Sequence, residues 1–185
     1  MRQQNRKWLE EQMALQCAPL LAGLKLSNLL IIPETVEEEL SEVLSGTEFC
    51  SYCLSWHGDK VIYLLYRSRE LLEYLEEPEV QRLLGELDYA SLDLRELLEV
   101  VSERYTAHLS GQAEFPHELG LLLGYPAIDV RGFMEHRGKD FLYSGYWKVY
   151  GNLKETLRLF QKFGKAREYF VRMVAAGYSI AEVVA

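Results

Sequence analysis

The side chains best able to do chemistry in this chain are a cysteine, a histidine and a glutamate. Cys17 stands two residues before Pro19. If Pro19 opens a short helix, the thiol lies near a helix N-terminus, where the dipole favours the thiolate and makes it a nucleophile or ligand. The competing reading is a small apolar side chain packed in the core, the commoner fate of a free cysteine, and it is the one we expect. His117 and Glu118 follow Pro116 and fall in the first turn of the helix that this proline should begin. Glu118 there complements the dipole and can reach back as a cap, while His117 is biased towards its neutral form. A pair of Cys17 with His117 would make a thiol-dependent enzyme or cofactor handler. A plain helix start with a capping carboxylate is the reading the residues favour.

Two sets of residues are better suited to binding than to catalysis. Lys154, Arg158, Lys162 and Lys165 recur at spacings of four, four and three, which puts them on one helical stripe opposite Leu153, Leu157 and Phe160. With Lys148 they form a basic face. It is either a solvated helix face or a dock for an acidic protein, of which a flavodoxin is an example. Tyr125, Tyr146 and Trp147, with Tyr143 and Tyr150 nearby, could wall a pocket for a flat ligand or pack as core.

Other patterns carry less. Cys50 and Cys53 have CxxC spacing but lie in an expected strand, where residues three apart face opposite ways, so no metal site is expected there. Residues 116–137 can be read as two helices around a turn, which admits a DNA-binding regulator. The second of them offers Arg131 and few other groups to bases, so nucleic acid is not the expected partner. No GxGxxG, Walker A, HExxH or GxSxG pattern occurs, which leans the reading away from an enzyme. No residue pattern names a cofactor.

These groups must be positioned by a fold of 185 residues, enough for one domain with a real core. The net charge of −8 is uneven: residues 1–110 sum to −10 and residues 111–185 to +2. An acidic chain is poorly suited to nonspecific nucleic-acid binding. The basic N-terminus lacks the apolar stretch of a secretory signal, and no apolar run is long enough to span a bilayer. Three cysteines suit a reducing compartment better than a disulfide framework. A cytoplasmic protein is expected.

Periodicity predicts a helix over 5–16 and a buried strand at Leu29–Ile32, followed by a helix opening at Pro33-Glu34 and ending near Gly46. Residues 49–67 read as a hairpin turning at His57–Lys60, with Val61–Tyr66 as a central strand covered on both faces. Helices follow at 69–77, 78–87 and 92–108, the last capped by Ser91. Two more begin at Pro116 and Pro126. Phe141–Tyr150 alternates like a final strand, with Phe141, Tyr143, Trp147 and Val149 on one face. Asn152 should cap a closing pair of helices, and a short third follows Ser179. The sum is an α+β domain, or a three-layer α/β one, with an about four-stranded mixed or antiparallel sheet flanked by helices.

One residue string is specific enough to carry a resemblance. It is Phe115-Pro116-His117-Glu118-x-Gly120-x-x-x-Gly124-Tyr125-Pro126, then Asp129-Val130-x-Gly132-Phe133, Gly138-Lys139, and Gly145-Tyr146-Trp147-Lys148-Val149-Tyr150. It resembles the C-terminal signature of a bacterial family called domain of unknown function 3793. Cys17-Ala18-Pro19-x-Leu21-Ala22-Gly23-Leu24-Lys25 resembles the same family's N-terminal motif. The resemblance implies no activity. It implies an association with anaerobic bacteria and with flavodoxin and ferrous-iron uptake genes, hence a link to iron or redox metabolism. The expected function is that of a binding or accessory protein.

Overall fold

The fold was obtained as a computed structural model, which describes residues 2–89 and 91–185. The chain divides into two compact units, Met1–Ser68 with Lys162–Ala185, and Arg69–Gln161. Its two boundaries, after Ser68 and after Gln161, each fall inside a helix.

The first unit opens with α1 (Arg2–Gln16) and a single turn, α2 (Ala18–Leu21), which carries Pro19 in its first positions. Three strands follow: β1 (Ser27–Pro33), β2 (Phe49–His57) and β3 (Lys60–Arg67). Between β1 and β2 come a 3-10 turn (Glu34–Val36) and α3 (Glu38–Leu44). The expected continuous helix from Pro33 is thus two pieces, with Gly46 at φ +78° beyond it. The sheet is antiparallel in the order β1-β3-β2. His57 pairs with Lys60 across the Gly58-Asp59 turn, and a register shift between Cys53 and Ser55 marks a bulge. β3 is the central strand, and Val61 to Leu65 are all buried, as an apolar run on both faces requires. Leu9, Met13, Cys17, Leu20, Leu30, Ile32, Val61 and Leu65 form the core with Phe170, Val174 and Ile180.

The second unit is mostly helical. α4 (Ser68–Leu75) leads into it, followed by α5 (Pro78–Glu86) and α6 (Leu94–Leu109). Ser91 does not cap α6. Asp93 does, in a reciprocal capping box with Glu96, because the carboxylate lies three residues before a glutamate able to return the bond. The helix expected from Pro116 is a single turn, α7 (Leu119–Leu122), and α8 (Ala127–Glu135) follows Pro126. Four residues are too few for the first helix of a DNA-binding helix-turn-helix.

Phe141–Tyr150 is not one strand. It is a tight hairpin of β4 (Tyr143–Ser144) and β5 (Lys148–Val149). The expected alternation fails with it: Phe141 and Tyr143 are exposed, whereas Trp147 and Val149 are buried. The closing pair of helices is also a single helix, α9 (Leu153–Ala175), before α10 (Ile180–Val184) with its Ser179 cap. Buried Phe160, Phe163, Ala166, Phe170 and Val174 keep helical spacing across Gly164, so that glycine does not end the helix. The architecture is α+β, with a three-stranded antiparallel sheet and a two-stranded hairpin. No helix is long and apolar enough to cross a membrane among the described residues.

Candidate functional site

The signature segment in the second unit is organised by one buried carboxylate. Asp129, flanked by Ile128 and Val130 on α8, is 2% exposed. Its Oδ2 accepts from the Trp147 indole N–H at 2.7 Å. Its Oδ1 accepts from the backbone N–H groups of Tyr150 at 2.7 Å and Gly151 at 3.0 Å. Three donors on one buried carboxylate satisfy it and tie the β4–β5 hairpin to α8. Sequence reading missed this role. The available signal was an aspartate between two apolar helix positions upstream of a tryptophan whose N–H would need an acceptor once buried.

The glycines of the same segment are close approaches. A Cβ on Gly132 would sit 2.5 Å from Tyr150 Cβ, one on Gly145 2.5 Å from the Phe160 ring, and one on Gly151 2.6 Å from Ile128. Trp147 stacks on Tyr125 at 4.9 Å and meets Phe160 edge-on at 4.6 Å. Tyr74 donates to the Tyr125 carbonyl at 2.5 Å. Of the aromatic candidates, Trp147 is buried and Tyr125 half-buried, and both serve packing. Tyr146 is different. It is exposed and lines an open groove of about 400 Å³ with Tyr143, Leu157, Phe160 and Gln161. Phe141, Leu142, Tyr143 and Tyr146 present an apolar surface at the hairpin.

His117 and Glu118 do not form a helix cap. Glu118 occupies the cap position of α7 but its side chain makes no capping bond. It is 1% exposed and accepts from Arg104 at 2.6 Å and from the Tyr89 hydroxyl at 3.0 Å, while Arg104 also donates to Tyr89. Its other oxygen, Oε2, is buried without a partner, as is Nδ1 of His117. Burial pushes the imidazole towards its neutral form, against the pull of Glu118 and with that of Arg104. The ring packs between Phe115 and Phe133. A guanidinium, not the helix dipole, therefore holds this carboxylate.

Cys17 is fully buried in the core of the first unit. Burial pushes its thiol up to about 12, against the opposing pulls of Lys25 and the Asn28 amide. It caps α2 by position but makes no side-chain capping bond there. Lys25 hydrogen-bonds Asn28 at 3.1 Å, and burial brings its amine down to about 8. Cys17 belongs to the first unit and His117 to the second. A neutral thiol at pH 7 is a poor nucleophile. Cys50 and Cys53 are free thiols in β2, paired opposite Tyr66 and Tyr63. No group of three His, Cys, Asp or Glu side chains able to hold a metal occurs among the described residues.

The basic candidates divide in two. Lys148 is engaged: its amine donates to the Gly138 carbonyl at 2.6 Å and lies over the rings of Phe133 and Phe141. Lys154, Arg158, Lys162 and Lys165 are all exposed on α9, and none has an ion-pair partner among the described residues. Some exposed cations elsewhere are paired, as in Arg69 with Glu73 and Lys7 with Glu11. Arg131, the one base-reading candidate of α8, is held by both oxygens of Glu86 at 2.7 and 2.9 Å.

Neither a curated protein nor a solved structure matches the chain. A family model described as Protein of unknown function (DUF3793) matches residues 13–184, nearly the whole chain. The chain belongs to that family.

Proposed function

We propose that this chain is a binding module that docks an acidic protein partner on α9, in a cytoplasmic setting. The observation that carries the reading is the run of four exposed, unpaired cations at Lys154, Arg158, Lys162 and Lys165. A helix face that only needs solvation is commonly laced with ion pairs four residues apart, as α1, α4 and α6 are in this chain. α9 forgoes them. Beside the first two cations, Leu157 and Gln161 open onto the groove walled by Tyr143 and Tyr146. A cationic edge next to exposed aromatics is a suitable surface for a transient, electrostatically steered complex. An acidic redox carrier of the flavodoxin type is the partner class we favour, which places the protein in iron or redox metabolism. The family membership leaves the activity open. The reading is tested with purified flavodoxin immobilised on a sensor surface. Binding should weaken steeply with added salt and vanish for a Lys154→Glu, Arg158→Glu variant. Binding that ignores both salt and charge reversal would reject it.

A thiol-dependent enzyme built on Cys17 and His117 has less support, because the buried thiol is neutral at physiological pH.

A further inference from the structure

The groove beside the basic edge of α9 has a floor, two walls and a rim. Its floor is the buried ring of Phe160, which Tyr143 meets at 6.2 Å and Tyr146 at 5.2 Å, both tilted. The two tyrosines are exposed and flank Gly145 in the hairpin. Gly145 lets the turn lie on the floor, since a Cβ there would sit 2.5 Å from the Phe160 ring. Leu157 and Gln161 of α9 close the remaining side, and the Gln161 amide makes no side-chain hydrogen bond among the described residues. The charge on the rim has one sign. Lys154 stands about one turn before Leu157, and Arg158 about one turn before Gln161. Both are exposed without an ion-pair partner among the described residues. Glu155, the one acid of α9 before Gln161, lies on roughly the opposite side of the helix from Leu157.

We propose that this groove seats one aromatic side chain, carried by the partner on a segment rich in aspartate and glutamate. The inference rests on the docking reading above and says what the partner must present. A groove of about 400 Å³ has room for a side chain rather than a whole helix or strand. Its three rings are already spaced and tilted as aromatic groups prefer, so an inserted ring gains edge-to-face and offset contacts beyond the area it buries. An indole suits it best, because its N–H needs an acceptor and the Gln161 amide oxygen lines the groove. Carboxylates on either side of the ring then face Lys154 and Arg158. The ring slows release, and the charges speed encounter.

The test uses the whole chain and a fluorescein-labelled peptide, Asp-Glu-Asp-Trp-Asp-Glu-Asp, followed by anisotropy at low salt. It should bind saturably. Replacing the peptide's tryptophan by alanine, or all its acids by their amides, should weaken binding about tenfold or more, and replacing the tryptophan by leucine should weaken it by about threefold or more. Tyr143→Ser, on an exposed side chain, should cost the tryptophan peptide far more than the alanine peptide, in a protein whose thermal melt stays native. Tyr146→Ser decides the matter if Tyr143→Ser does not fold. Equal binding of the tryptophan and alanine or leucine peptides, with loss on Lys154→Glu, Arg158→Glu, would overturn the aromatic anchor and leave the acidic dock standing. So would flavodoxin binding with no binding of any peptide. No binding of either would remove both readings. Vesicles of phosphatidylserine and phosphatidylcholine that sediment with the wild type but not with Tyr143→Ser, in the absence of peptide binding, would assign the surface to an anionic membrane and overturn the proposal.

Discussion

At the scale of single residues, the second unit depends on Asp129. Its two oxygens accept three hydrogen bonds in a site closed to water. Asp129→Asn keeps the size but replaces an acceptor oxygen by an NH2 group that opposes one of the donors. Unfolding in urea should show a loss of about 3 kcal/mol, since hydrogen bonds to charged groups are the stronger kind. A loss under about 1 kcal/mol would be that of an ordinary substitution and would deny the clasp its role. Cys17 gives a second test, with a definite sign. The unfolded thiol titrates at 9.0 and the folded one is pushed up to about 12. Below 9.0 both states keep the proton and the stability tied to it is whole. Between 9.0 and about 12 only the unfolded chain releases it, so that stability is lost as pH rises. Lys25 acts in the opposite sense, but it remains in a Cys17→Ala variant. Wild type should therefore lose stability more steeply than Cys17→Ala above pH 9.0. Parallel pH profiles would mean that the thiol is not buried as described.

At the scale of elements, the glycines separate close packing from mere tolerance. Gly132 faces Tyr150 with no room for a Cβ, while Gly164 on α9 has nothing within 4 Å. Gly132→Ala should destabilise by about 2 kcal/mol through overpacking. Gly164→Ala should stabilise by about 1 kcal/mol through helix propensity. Thermal melts that move both variants the same way would contradict the assignment. Most elements could be read from the residues, because each has a local cause: the Gly58-Asp59 turn, the apolar run of β3, Pro78 and Pro126 at helix starts, Ser179 as a cap. The failures were nonlocal. Phe141–Tyr150 alternates like a strand, but Asp129, twelve residues before its first member, draws in Trp147 and the Tyr150 N–H and folds the segment into a hairpin. The expected closing pair is one helix because the buried positions keep helical spacing across Gly164. Glu118 looked like a cap because Arg104 and Tyr89 lie on other elements. The stripe on α9 was legible, since helical spacing alone places it. The unpaired state of its cations was not.

For the whole molecule, the uneven charge matters most. The chain carries −8, yet residues 111–185 sum to +2. In the proposed complex, a basic face on an acidic protein would orient the encounter, α9 towards an acidic partner. The buried groups described here stabilise the fold, and the exposed cations of α9 are left over from that work. The most direct measurement is the affinity of purified flavodoxin for the wild-type chain and for a Lys154→Glu, Arg158→Glu, Lys162→Glu, Lys165→Glu variant, at low and high salt. The account predicts wild-type binding that falls about tenfold or more with salt over a Debye-length change from about 30 to 8 Å, and no binding by the variant at either salt. Equal binding by both proteins, or none by wild type at low salt, would contradict it.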